Sequence, residues 1–570
     1  MSISTDNSRS FLPRGLAALL DYASASHARA LGFLLLVSLL AFAPGITQLP
    51  PIDREESRFA QATKQMIETG DYVDIRFQDD VRYSKPVALY WLQAAVVKPA
   101  EALGVRRALT RISLYRIPSL IGAIGAVLVT YWAALAFVSR RSAILAAAML
   151  ASSILLGIIA RLAVTDAMLL VAVTAAMGAM ARVYRSWVKG EEPAGWVLPA
   201  IFWTALAGGV LLKGPIIILV VGLAALTLSV LDRSADWLRG LRPLLGLAWF
   251  LLLVAPWFIA ITLRTGRYFF LDSLGRDMLG RILNVSEFRF VPPGVYLLLF
   301  FVTFWPAALL AGLAAPAIWR ARQTPPTRFL LAWLVPSWIL FELIWAKLPH
   351  FILPLYPAIA ILIAGCIETY QLSQSRWLVR GTFWWFALPV LIAVGGLVFL
   401  IRMEGDLGFL AWPFAAAAVI FGFRAWWLYD NDGAERSLLR ACAASILLGI
   451  AIYAVLIPSL RSLFPSDLVA RVVRNAGCEN PEVAAAGFHE PSVVFLLGTP
   501  TQLTDGAGAA DFLRRGGCRL AVIEARHERS FAVRADALGL RYTRSARIEA
   551  MNIARGRPMQ VTVYRSEERP

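Results

Sequence analysis

Residues 50–92 read PPIDREESRFAQATKQMIETGDYVDIRFQDDVRYSKPVALYWL, a charged stretch in a chain that is otherwise mostly apolar. Four ionisable residues stand in a row near its start: Asp53, Arg54, Glu55 and Glu56. Phe59, Ala62 and Met66 then recur at helical spacing, with Arg58, Lys64 and Glu68 off that stripe, which predicts an amphipathic helix. Gly70-Asp71 stops it and Asp79-Asp80 reads as a turn. Lys85-Pro86 opens a second helix, proline being well placed at a first helical position. A loop of this length, with carboxylates at one end and a lysine at the other, is where chemistry is expected.

What surrounds the loop is membrane. The 570 residues are 58% hydrophobic and only 16% charged, with a mean hydropathy of +0.63; a soluble domain carries about a quarter charged residues. Apolar runs follow near 31–49, 113–138, 142–160, 164–184, 195–212, 215–231, 243–263, 294–318, 329–346, 350–368, 382–401, 411–428 and 438–458, about thirteen spans. The first run is too long for a signal-peptide core, so it reads as an uncleaved span behind a cytoplasmic N-terminus at 1–30. With that start, Arg140-Arg141, Arg182, Arg185, Lys189, Arg233, Arg239 and Arg242 fall in inner loops, and the pattern continues to Arg436 and Arg440. This is the positive-inside distribution. It also accounts for the net charge of +17 without nucleic acid as a partner.

The expected organisation is a transmembrane domain over 31–460, with outer loops at 50–112 and 264–293, followed by a soluble periplasmic α/β domain over 461–570. In that last segment Ser492–Gly498 and Arg519–Ile523 read as buried strands, with a helix over Ala509–Arg515 between them. Gly506-Ala507-Gly508 is weak as a nucleotide fingerprint, because it lacks the third glycine and reads as lying outside a strand-to-helix turn. Cys366 and Cys442 lie in apolar runs and read as packing residues. Cys478 and Cys518 could pair in an oxidising compartment. No cysteine–histidine spacing matches a zinc site; no cofactor is required, and a divalent metal stays open without being indicated.

The unusual polar residues share one predicted side. Glu55, Glu56, Lys85, Arg161, Asp166, Lys213, Arg267, Lys347 and His350 all fall at outer ends of spans or in outer loops. Taken singly, each reads as a residue snorkelling to the interface, Lys213 and Arg161 most of all. Taken together they suggest a shared polar cavity.

Several of these positions carry a resemblance. Glu55-Glu56-Ser57-Arg58-Phe59-Ala60, then Gly70-Asp71, then Lys85-Pro86 resembles the first external loop of polyprenyl-phosphate-sugar glycosyltransferases of the GT-C type. That superfamily includes the protein O-mannosyltransferases and the bacterial aminoarabinose transferase acting on lipid A. Arg161 to Asp166, Leu212-Lys213-Gly214-Pro215 and Lys347-Leu348-Pro349-His350 resemble later outer signatures, and Gly266-Arg267-Tyr268 resembles the place where an arginine faces the donor phosphate. The resemblance spans about residues 40–365. This chain departs from it at Glu55, where most relatives carry aspartate, and at Ser84, where they often carry glutamate.

The resemblance implies an all-α, GT-C-like membrane domain and a single inverting displacement from a polyprenyl-phosphate donor. The acceptor would be lipid A or lipopolysaccharide, another envelope glycan, or a protein hydroxyl. Glu55 would be the base, with Glu56 and Asp166 supporting it; Glu56, Asp53 and Asp166 stay open as alternatives. Lys85, Arg267 and Arg58 would hold the phosphate. Asp53, Tyr83, Arg161, Lys213, Lys347 and His350 complete the candidate site. No catalysis is assigned to the C-terminal domain. The protein would be a monomer of the bacterial inner membrane. A transporter or flippase is the competing class, but transporters tend to carry their charges near the midplane and in repeated halves, and neither feature is visible here. A catalytically dead scaffold is a third reading, motivated by Glu55 in place of aspartate.

Overall fold

The computed structural model describes residues 11–53, 55–191, 195–266, 269, 292–344, 347–477, 480–552 and 556–567. Eleven helices come first: α1 (Phe11–Ser24), α2 (His27–Phe42), α3 (Glu55–Thr69), α4 (Ala88–Ala102), α5 (Ile112–Ala134), α6 (Arg140–Ala151), α7 (Ile154–Ile159), α8 (Asp166–Val188), α9 (Val197–Lys213), α10 (Ile216–Leu231) and α11 (Pro243–Thr265). Helices continue to Ser459, and the protein is a multi-span membrane protein. Six described helical segments are long and apolar enough to cross a bilayer alone, and Val295–Thr303 with Ala308–Arg320 forms a further pair bent by 120°.

Two spans are interior. The apolar windows of α8 and of Pro349–Glu368 are 78% and 83% buried, against 22% for α11. Small residues bring α5 and α8 close: a Cβ on Gly122 would lie 2.9 Å from the Ala167 carbonyl carbon. Backbones approach this closely in membrane bundles where glycine or alanine lines the contact. The first turn of α8, which begins with Asp166, is thereby pressed onto α5.

The first apolar run is helical only to Phe42. Residues 43–50 form turns, with Gly45 at φ +90° packed against the Tyr453 backbone. Turn carbonyls in an apolar setting need donors, and two buried arginines supply them. Arg161 donates to Ala41 (2.6 Å), Pro44 (2.7 Å) and Gly157 (2.5 Å), with its guanidinium 4.2 Å over the Tyr453 ring. Arg116 donates to Ile46 (3.0 Å), Leu49 (2.7 Å) and Pro50 (2.9 Å). Arg161 is therefore a buried staple, where the sequence suggested a snorkelling residue beside the cavity.

The C-terminal unit is built on a five-stranded sheet in the order β4 (Gln502–Thr504), β3 (Glu482–Ala486), β5 (Arg519–Glu524), β7 (Arg557–Ser566), β6 (Tyr542–Asn552). The first three are parallel and the last two antiparallel. Val483, Ala485, Leu520 and Val522 face the Pro465–Arg474 helix, while Ala484, Ala486, Ala521 and Ile523 face the Gly506–Leu513 helix. Strands covered on both faces read as continuous apolar runs, which is why Arg519–Ile523 was legible.

Two local expectations change here. Ser492–Leu497 is helix, within Pro491–Leu497, and not strand. A five-residue apolar run fits either state by periodicity; Pro491 in the first turn and Gly498 just past the end decide it. Gly506-Ala507-Gly508 does stand at a strand-to-helix turn, after β4. A Cβ on Gly506 would lie 2.2 Å from Ser530 Oγ, and one on Gly508 2.0 Å from Thr504 Oγ1. The glycines admit the protein's own atoms, not a phosphate. Cys518 is disulfide-bonded; Cys478 lies outside the described residues, and Cys366 and Cys442 are free and buried.

Candidate functional site

The first long loop folds as α3, a two-stranded hairpin (β1, Arg76–Phe77; β2, Asp80–Val81) and α4. Phe59, Ala62 and Met66 are buried as their spacing requires. Lys64 is buried too, because the C-terminal unit covers the face of α3 that the sequence leaves polar. The loop is tied to the C-terminal half of α11: Arg264 pairs with Asp71, and Trp257 Nε1 donates to the Val73 carbonyl (3.3 Å). Arg267, three residues beyond Arg264, lies outside the described residues.

Between this loop and the span ends lies a cavity of about 330 Å³. Glu55, Lys85, Asp166, Lys213 and His350 line it, above an apolar wall that includes Phe341 and Phe351. Asp166 opens α8 and Lys213 closes α9, so each charge sits at the helix end that favours it. They form an ion pair with side chains 8% and 9% exposed. Gly214 at φ +72° stops α9, and Pro215 immediately precedes α10. His350 Nε2 stands 3.8 Å from Asp166, edge-on to Phe351. The pairing makes Lys213 a cavity residue, where the sequence favoured an interfacial one. Lys347 donates to the Ile344 carbonyl (3.1 Å) at the edge of the cavity wall.

Glu55 is the first residue of α3 and its side chain is half exposed to the cavity. Its carboxylate accepts from Arg82 Nη2 (3.2 Å). Arg82 is itself oriented by Tyr90 Oη (3.2 Å) and by stacking on Phe59. Nothing in the sequence singled out Arg82, because its partners are brought to it only by the hairpin.

Glu56 is differently placed. It is 3% exposed, and its two oxygens accept from Arg116 Nε (2.8 Å), Arg116 Nη2 (2.9 Å), Ile52 N (2.9 Å) and Ala163 N (2.9 Å). Four donors on one carboxylate leave it a structural role: it joins the first loop to α5 and to the turn that leads into Asp166. Arg58 is exposed and apart from the cavity lining. Tyr83 is buried, donates to Asp74 Oδ1 (2.9 Å) and meets Phe269 edge-on.

Asp53 faces the C-terminal unit, accepting from Ser492 N (3.0 Å). Burial first, then the fields of Glu490 and Glu56, push its carboxyl up from 3.8 to about 6, against the pull of the Ser492 contact. A raised carboxyl stabilises the fold fully below about pH 4 and ceases to do so as pH rises through about 6. Asp53→Asn, which keeps an acceptor for Ser492, should therefore melt higher than the parent at pH 7.5. The difference corresponds to at most about 3 kcal/mol and should vanish near pH 4. Equal melting at both pH values would refute this. Among the described residues, no three His, Cys, Asp or Glu side chains group as a metal site.

Residues 107–267 match the family model of dolichyl-phosphate-mannose-protein mannosyltransferase. The undecaprenyl phosphate-alpha-4-amino-4-deoxy-L-arabinose arabinosyl transferase of Pectobacterium carotovorum is 27% identical over 65% of this chain and 68% of its own length. Its namesake in Pseudomonas paraeruginosa is 27% identical over 85% and 84%. Among solved structures, apo ArnT from Cupriavidus metallidurans superposes with a TM-score of 0.72 at 17% identity, covering 94% of this chain and 98% of that one. The same protein bound to undecaprenyl phosphate gives 0.69 at 17% identity, with 96% and 98% covered. The fold is thus of the GT-C type. The relatives so matched are membrane glycosyltransferases named for polyprenyl-phosphate-linked sugars.

Proposed function

We propose that the protein transfers a sugar, with inversion, from a polyprenyl phosphate of the undecaprenyl type to lipid A or another envelope glycan at the outer face of the bacterial inner membrane. The observation that carries this reading is the cavity, with Glu55 and Asp166 facing Lys85 and Lys213 at one end of the spans. An acceptor hydroxyl attacks the anomeric carbon. The bond from that carbon to the phosphate oxygen breaks, and its electron pair leaves on the phosphate. Lys85 and Lys213, with Arg267 from the adjoining segment, oppose the charge gathering there, which is where preorganised cations act most strongly. Glu55 accepts the acceptor's proton. Asp166 holds Lys213 in place. The products are a glycoside and the polyprenyl phosphate.

The relatives named above support this donor and acceptor. The match to protein mannosyltransferases over 107–267 favours, as a second reading, a serine or threonine acceptor. Purified protein supplied with each donor type separates the classes: transfer is expected from a lipid-phosphate sugar, and transfer from a nucleotide sugar alone would overturn the proposal. Mass spectrometry of lipid A, core and envelope glycans from cells lacking the protein should then show one missing sugar and so name donor and acceptor together.

The same reading includes thirteen spans, a cytoplasmic N-terminus and a periplasmic domain after about residue 460. Each apolar run in the sequence contains a helix, and the disulfide at Cys518 suits an oxidising compartment. Reporter fusions at residues 189 and 480 should report cytoplasm and periplasm respectively. The reverse at either position would put the cavity on the wrong face.

A further inference from the structure

The C-terminal unit lies against the helix that carries Glu55. The Pro491–Leu497 helix and the residues after it run along α3 in the same direction. Ser492 N meets Asp53 at the start of α3, and Lys64 Nζ donates to the Phe495 carbonyl (3.3 Å). Thr499 bonds Gln61 (2.9 Å) and Glu68 (2.6 Å). Gln78, in the turn between β1 and β2, donates to the carbonyls of Thr499 (3.0 Å) and Thr501 (2.7 Å). Phe495 is fully buried, edge-on to Tyr115 at 5.3 Å, in a cluster with Ala60, Ile112 and Ala163.

Glu55 needs such support. The first residues of a helix lack intrahelical partners for their N–H groups and fray readily. Its carboxylate is half exposed and meets Arg82. Its two flanks, however, are anchored: Glu56 to Arg116 within the membrane domain, and Asp53 to the C-terminal unit. We propose that the C-terminal unit positions the Glu55 carboxylate for transfer, with Asp53 and Phe495 as the positioning residues. This rests on Glu55 acting as the base. A displacement of about 1 Å in a reacting group can cost roughly 10²-fold in rate, so the unit works on turnover without touching the sugar.

The test uses the full-length protein and three variants: Phe495→Ala, Asp53→Ala and Asp53→Asn. Turnover, donor KM and hydrogen exchange of the α3 amides are measured for each. Phe495→Ala and Asp53→Ala should lower kcat by about 10–100-fold with donor KM nearly unchanged, and should speed exchange across residues 55–69. Asp53→Asn keeps the acceptor for Ser492, so its kcat should lie well above that of Asp53→Ala and its α3 amides should exchange no faster than the parent's. Unchanged exchange in the two alanine variants overturns the proposal, as does faster exchange with unchanged turnover. Should Phe495→Ala fail to fold, Asp53→Ala carries the test alone, since it removes one contact at a half-buried edge. Normal turnover in Glu55→Gln would instead refute the base assignment, and the exchange result would still stand.

Discussion

Glu55→Gln should lower turnover by about 10²–10⁴-fold, the usual contribution of a general base, while leaving donor binding intact. Glutamine preserves the shape of the side chain and an acceptor for Arg82, but it cannot take the acceptor's proton. Glu55→Asp should keep a large part of the activity, since the motif that this loop resembles has aspartate here; α3 begins at this position, so the shorter arm still enters the cavity from the same helix end. Lys85→Ala separates the roles: loss of a cation beside the phosphate should weaken donor affinity as well as turnover. The measurement is kcat and donor Kd for the three variants. Turnover within a few-fold of the parent in Glu55→Gln would move the proton to Asp166, the other carboxylate on the cavity.

Arg116→Met should cost about 3–5 kcal/mol, the usual result of stranding one member of a buried ion pair. All five guanidinium N–H groups are engaged, two on Glu56 and three on the carbonyls of Ile46, Leu49 and Pro50. Methionine fills the volume but leaves a buried carboxylate and three carbonyls without these donors. Little protein should survive extraction in detergent, and what survives should melt far below the parent. Adding Glu56→Gln removes the stranded charge and should recover part of the loss, so the two substitutions should be strongly non-additive. Simple additivity in thermal melts would mean that the pair is not the joint between the first loop and α5.

Much of the architecture was legible because membrane helices announce themselves by composition, and α3 by the spacing of Phe59, Ala62 and Met66. The gathering of charges at one end of the spans was legible too, since Glu55, Asp166 and Lys213 sit at predictable helix ends; Lys85-Pro86, read as a helix start, instead precedes α4, which begins at Ala88. What was not legible depends on partners far along the chain. Lys213 looks interfacial until Asp166, 47 residues away, is placed beside it. Arg116 looks like one more cation near a span end until turns whose sequence is apolar present their carbonyls to it. Lys64 looks solvated until Phe495 arrives 431 residues later. Ser492–Leu497 was misread because five apolar residues without a period, Val493–Leu497, leave the choice to their flanks.

That last separation has a bearing on how the enzyme is made. Synthesis at about 5–20 residues per second puts roughly 20–90 seconds between the emergence of Lys64 and that of Phe495. Throughout that time the face of α3 that Phe495 and Thr499 cover stands open, while α4 and α5 already back its other side. On the positioning proposal above, the nascent enzyme turns over more slowly than the finished one. Its reaction centre is braced late in biogenesis, when the C-terminal unit folds back onto the first loop to be made.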